Sequence, residues 1–241
     1  LADGVRAVDA GDLPWDAEQP EANRETIRSA IGAILDAGAV PITIGGDDSI
    51  PIPVFQAFAG RGRYTILQID AHIDWREDVG GERWGLSSTM RRASEMEQIG
   101  KIVQVGQRAI GSAGPADHTD ALDWGVTFVS ARTLHKEGIG RALEAIPPGS
   151  DVIISLDVDS LDPSIMPAVI GPAPGGLTYW QVVELIMGVA AKSRIAGFNL
   201  VELMPDRDIQ GLSALTAGRI VCVLLGLISR AREAAATATT R

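Results

Sequence analysis

Asp70, His72 and Asp74 fall at every second position of DAHID (70–74), and Asp157 and Asp159 repeat that spacing in LDVD (156–159). In extended chain, residues i, i+2 and i+4 point to one face, so each set can converge. Together they bring four carboxylates and one imidazole to a point, and like charges that close cannot all stay ionised without a cation. The chemistry indicated is therefore a divalent metal site, or a pair of ions sharing bridging carboxylates. An oxygen-rich set with one imidazole and no thiolate favours Mn²⁺ or a similarly hard ion over structural zinc, with Ni²⁺ and Co²⁺ as alternatives. Two ions sharing a water would make hydroxide available near neutral pH. A single aspartate is more often a solvated loop acid or a helix cap. Independent caps, however, have no reason to alternate with period two.

The elements that must position these side chains follow from the apolar pattern. Short β-branched runs alternate with amphipathic stretches, as in βα units built around a parallel sheet. Strands are predicted at Ala39–Ile44, Tyr64–Ile69, Lys101–Val105, Val126–Ser130, Asp151–Leu156 and Ile195–Val201. Helices are predicted at 22–37, 50–59, 87–98, 136–146, 178–191 and 212–232. All-apolar strands suit a sheet covered on both faces. Gly45–Ser49, Asp70–Asp74, Asp157–Asp159 and Glu202 each follow the carboxyl end of a predicted strand, where open parallel sheets bind ligands. The Pro/Gly-rich stretch 163–176 is long for a connecting loop and reads as functional. No internal repeat or linker interrupts the pattern, so 1–241 reads as one domain, with a tail at Ala234–Thr240 small and polar enough to fray.

Composition bounds the function. The chain has 241 residues, with 21 Lys+Arg against 31 Asp+Glu and a formal charge of −10. That balance argues against a nucleic-acid partner, which needs a basic face. The single cysteine, Cys222, excludes an intrachain disulfide and a cysteine-based zinc cluster, and a reducing cytoplasm is the compartment expected. The longest apolar run, Ile220–Ile228, is shorter than the roughly 20 residues that span a bilayer, so no membrane partner is expected.

GGDDS (45–49), DAHID (70–74) and SLDVDSLDPSIMPAVIGPAPGGLT (155–178) resemble the three signatures of the ureohydrolases, the arginase/agmatinase family. The resemblance runs from about residue 22 to residue 230, with the motifs in matching order. It implies a three-layer α/β/α fold with a mainly parallel eight-stranded sheet and a binuclear manganese centre, in a subunit that commonly forms trimers and hexamers. Carried over by position, it makes Asp70, His72, Asp74, Asp157 and Asp159 metal ligands. Asp48 stands where the family has a ligand His, and the position is read as a ligand here too. Glu202, in VELMP (201–205), matches the glutamate that grips a substrate guanidinium, a role suited to a carboxylate that accepts two parallel N–H bonds. The family normally places another strand before the first helix, so the 21 residues preceding residue 22 suggest a shortened N-terminus.

Two departures stand out. Asp48 puts an anion where an imidazole is usual, which makes the site harder and more negative. The stretch Arg83–Met90 lacks the proton-shuttling His that arginases and agmatinases carry there, and His118 and His135 fall in segments that read as peripheral. Arg76 takes the place of an Asn with which arginases help hold the amino-acid end of arginine, which favours an agmatinase-like specificity. The function expected is hydrolysis of a small guanidino compound to urea and an amine, by attack of a hydroxide shared between two metal ions. Glu202 would orient the guanidinium, and Asp74 belongs with the carboxylates that stabilise the tetrahedral intermediate and relay its proton. The alternatives are a non-catalytic paralogue serving as a structural or regulatory subunit, and a hydrolase of another amidine or amide C–N bond.

Overall fold

The computed structural model describes residues 1–2, 4–111 and 113–239. Its six strands are β1 (Ile42–Ile44), β2 (Tyr64–Ile69), β3 (Ile99–Val105), β4 (Thr127–Val129), β5 (Asp151–Asp157) and β6 (Arg194–Val201). They form one sheet in the order β1-β6-β5-β2-β3-β4, with every neighbouring pair parallel. The helices are α1 (Pro20–Asp36), α2 (Pro51–Ala57), α3 (Thr89–Ser94), α4 (Pro115–Trp124), α5 (Ala131–Glu137), α6 (Gly140–Glu144), α7 (Tyr179–Lys192) and α8 (Leu212–Thr239).

Strand alternation builds two cores. Leu67, Ile69, Val103, Ile154, Leu156, Phe198 and Leu200 pack against side chains of α5 to α8. Ile66, Ile102 and Ile153 point the other way, to Ile31 of α1, Phe55 of α2, Met90 of α3 and Ala121 of α4. The result is the expected three-layer α/β/α arrangement. The expectation of eight strands is not met: the described residues form six, and none lies before α1. That segment is mostly exposed, with glycines at 4 and 11 and a proline at 14, and its apolar side chains Val8 and Trp15 lie at the surface.

Other differences have local causes. β1 starts three residues later than predicted, after Pro41, which has no N–H to give a ladder. The helix expected at 136–146 is two, α5 and α6, divided at Gly138 with φ +77°. α4 was not predicted, because only Ala121 of its largely polar sequence is buried. The tail expected to fray continues α8 to Thr239, while Thr240 lies outside the described residues. Residues 212–237 of that helix are long and apolar enough, by length and composition, to cross a membrane, which corrects the estimate from the shorter apolar run. Ala217, Ile220 and Leu224 of this helix pack into the sheet-facing core.

β2 connects outward to β3 on one side, whereas β5 connects outward to β6 on the other. The β2–β5 pair is thus the topological switch point, whose carboxyl ends open a crevice.

Candidate metal centre

Four adjacent strands, β1, β6, β5 and β2, deliver the acidic motifs to that crevice. Asp70 follows β2, Asp157 ends β5, and Asp159 lies in the 3-10 turn Val158–Ser160 that leaves it. Asp157 Oδ1 caps this turn by accepting from the Asp159 N–H at 2.8 Å. Asp159 Oδ1 in turn accepts from the Ala71 N–H at 3.2 Å, joining the second motif to the third. After β1 the chain turns through Gly46, whose φ of +75° and contact with Ile50, 2.4 Å from any Cβ, admit only glycine. That turn brings the Asp48 N–H to 2.9 Å from Glu202 Oε1.

The side chains converge in two groups that share one residue. Ligand atoms of Asp70, His72 and Asp159 lie within 4.8 Å of one another, as do those of Asp48, Asp70 and Asp74. Asp157 stands beside them, buried, and outside both groups. His72 Nδ1 is 3.0 Å from Asp159 Oδ2 and 3.4 Å from Asp70 Oδ1. The five aspartates are each at most 5% exposed, too little for water to separate their charges.

The electrostatics follow. Burial, then the charge of Asp70, raises Asp48, Asp74 and Asp157 well above the usual carboxylate range. Asp70 is raised by burial and by Asp159. Burial works against a charged His72, but its hydrogen bonds with Asp159 and Asp70 outweigh this and hold the imidazole up at about 10. Burial lifts Glu202 to about 6, against the pull of the Asp48 N–H, with Asp47 and Asp159 adding to the rise. Among the described residues, neither carboxylate oxygen of the buried Asp48 has a hydrogen-bond partner. Orphaned buried anions call for a compensating cation, and oxygen donors with one imidazole suit a hard divalent ion. The residues present therefore fit the metal centre inferred from sequence.

Two of these residues hold unusual backbones. Asp74 has φ +44° and Glu202 φ +67°, conformations that cost non-glycine residues of order 1–3 kcal/mol and cluster at functional sites. The α3 N-terminus fixes Asp74, whose carbonyl accepts from Met90 at 3.0 Å and Arg91 at 3.1 Å. Gly46 fixes Glu202, whose N–H it accepts at 2.9 Å.

Several side chains that support the site carry no motif. Gln68 reaches Asp70 and Asp74 from within β2, and Gln104 of β3 reaches Gln68. A glutamine inside an apolar buried strand was the available signal in TILQID and KIVQVG. Arg108 donates to the carbonyls of Asp159 at 2.8 Å, Ser160 at 3.1 Å and Ala173 at 2.7 Å, tying the turn that bears Asp159 to the long loop. That loop passes His72, with Gly171 alongside its imidazole. Gly106 lies against the Asp70 backbone.

Trp75, next to Asp74, is buried, its Nε1 donating to Asp120 at 2.7 Å. Arg92 is buried, paired with Glu77 and Glu95 at 3.0 Å each. Arg76 donates to the Gly111 carbonyl at 2.6 Å. His118 stacks on Phe128, and His135 Nε2 meets the Gly176 carbonyl at 2.9 Å. The 83–90 stretch does approach the site, since Thr89 Oγ1 donates to the Asp48 carbonyl, but without an imidazole.

A sequence profile of the arginase family matches residues 1–226. The chain belongs to the arginase family. It is 34% identical over 231 residues to N(1)-aminopropylagmatine ureohydrolase of Thermus thermophilus, covering 93% of this chain and 74% of the relative. With guanidinobutyrase of Pseudomonas aeruginosa it shares 29% over 238 residues, covering 95% and 74%. The solved agmatine ureohydrolase of Thermoplasma volcanium superposes with a TM-score of 0.77 at 28% identity, over 91% of this chain and 73% of that one. As an arginase-family protein the chain groups with hydrolases of linear amidines, and its sheet carries candidate metal-binding residues at the carboxyl edge.

Proposed function

We propose that this chain hydrolyses a small, agmatine-like guanidino compound to urea and an amine. The observation that carries the proposal is the placement of Glu202. Its carboxylate is tied to the Asp48 N–H at the edge of the buried acidic cluster, on a backbone held at φ +67°. Asp70, His72 and Asp159 would hold one divalent ion and Asp48, Asp70 and Asp74 the other, with Asp157 alongside; Mn²⁺ is the first choice and Ni²⁺ or Co²⁺ the alternatives. When bound, the ions supply hydroxide at neutral pH and offset the clustered negative charge. Glu202 accepts N–H bonds from the planar guanidinium through its remaining lone pairs and orients the central carbon. Asp74, in a buried low-dielectric site, stabilises developing positive charge and accepts a proton on the way to the leaving amine.

The relatives named for aminopropylagmatine, guanidinobutyrate and agmatine support a substrate with a free guanidino end. The expected result is urea release from agmatine or a near analogue, with metal measured by elemental analysis. Glu202→Gln is expected to lower kcat/KM at least ~30-fold, the equivalent of about 2 kcal/mol for a lost charge-assisted bond, at unchanged metal content. A full metal complement with no urea from agmatine, aminopropylagmatine, 4-guanidinobutyrate or arginine would sink the proposal. That result would favour a non-catalytic paralogue, a reading prompted by the imidazole-free 83–90 stretch. Ammonia in place of urea would point to another C–N bond.

A further inference from the structure

Gln68 lies within β2, paired in register with Gln104 of β3, and both side chains are fully buried. Its Nε2 donates to Asp70 Oδ2 at 2.7 Å and to Asp74 Oδ2 at 2.6 Å. Asp70 belongs to both candidate ligand groups, and Asp74 to the group that also contains Asp48. One planar amide therefore uses both of its hydrogens on two ligand carboxylates and fixes the angle between them.

The orientation of this amide is determined by its neighbours. Gln104 Nε2 donates to Gln68 Oε1 and, at 2.8 Å, to the carbonyl of Ile73. The chain of bonds closes on itself: it leaves the 70–74 segment at the Asp74 carboxylate, crosses two strands, and returns to the carbonyl of the preceding residue. Asp70 is held at its other oxygen by the His72 N–H at 2.6 Å, so neither of its oxygens can swing. A neutral amide also suits this place electrostatically. It points two N–H dipoles at crowded carboxylates without bringing a positive charge that would compete with a cation.

We propose that Gln68, backed by Gln104, is the positioning residue that sets the ligand geometry of Asp70 and Asp74, and so governs occupancy of the Asp48–Asp70–Asp74 group. The inference rests on the metal reading of the site and concerns this chain's own residues toward the ion. Hydrogen-bonding partners behind metal ligands typically change affinity 10–100-fold when removed.

The test is a Mn²⁺ titration by calorimetry, with stoichiometry by elemental analysis, on the parent, Gln68→Met and Gln104→Met, alongside melting curves of the metal-free proteins. Methionine keeps the length and unbranched shape of glutamine and removes its donors. The expected result for Gln68→Met is a metal-free melt close to that of the parent, with one Mn²⁺ lost or bound 10–100-fold more weakly. Gln104→Met, which leaves both Gln68 donors in place but unaimed, is expected to show a smaller loss of several-fold. Parental stoichiometry and affinity in Gln68→Met would overturn the proposal while leaving the metal reading intact. A parent that binds no Mn²⁺ would overturn both. If Gln68→Met does not fold, Gln104→Met decides, and parental affinity there overturns the proposal.

Discussion

Asp48 sits at the end of a glycine turn, its backbone carbonyl held by Thr89 and its N–H by Glu202, while neither carboxylate oxygen has a hydrogen-bond partner among the described residues. An acid so placed is stabilised by a cation and by little else. Asp48→Asn is expected to lower Mn²⁺ affinity at least ~10-fold, because ligand charge and count set the affinity of hard-ion sites, whereas Asp48→His should keep the ion. Elemental analysis after dialysis checks both, and an Asn variant as loaded as the parent would remove Asp48 from the ligand set. At this scale the sequence was legible where chemistry repeats. The two-residue period of DAHID and DVD needs no fold to be seen. Gln68, Gln104 and Arg108 were not legible, because each is one polar residue in an ordinary run and acquires its meaning only from partners across the sheet. The positive φ values of Asp74 and Glu202 had no usable signal either, since aspartate visits that region only occasionally and glutamate more rarely still.

Among the elements, the buried strands were the most readable. Tyr64–Ile69 was found at its full extent, and β3, β5 and β6 to within one or two residues, because continuous apolar runs of that length have few other uses in a covered parallel sheet. Short helices were less readable, as α4 to α6 bury little and α4 and α5 end at single glycines, Gly125 and Gly138. The crossover from β3 shows how an element fixes the site. Gly106 follows β3 with φ +108°, and a Cβ there would lie 2.7 Å from the Asp70 carbonyl oxygen. Gly111 is also at positive φ, +90°, but faces open space. Gly106→Ala is therefore expected to cost more than Gly111→Ala, about 2–4 kcal/mol against about 1, from adding a backbone clash to conformational strain. Urea denaturation of the two metal-free variants measures the difference, and equal losses would show that the approach to Asp70 is not tight.

For the whole molecule, the acidic balance gains a location and a sign. Asp48, Asp70, Asp74, Asp157 and Glu202 all have carboxyls raised by folding, and His72 is raised to about 10. Each of these groups binds protons more tightly in the folded than in the unfolded chain, so stability falls as pH rises. For the acids the loss begins above their unfolded values near 4; for His72 it runs from about 6.5 to about 10. Metal-free protein is expected to melt at a higher temperature at pH 5.5 than at pH 8.5, and saturating Mn²⁺ should narrow or reverse that order, because binding the folded form adds stability. A metal-free melting temperature that rises with pH would contradict the burial of these acids. The three-layer arrangement was legible from the alternation of strands and helices, whereas the strand order was not, because pairing between β2 and β5 leaves no local trace. That pairing has a consequence for assembly. Ile69 lies beside Leu156 at the switch point, so the crevice joins segments separated by four helices and two strands of intervening chain. Loops that long close late and slowly. Until they do, DAHID and DVD are isolated acidic stretches with no shared pocket. An ion can then act as a latch on the finished sheet, slowing its unfolding, but it cannot be the seed around which that sheet collapses.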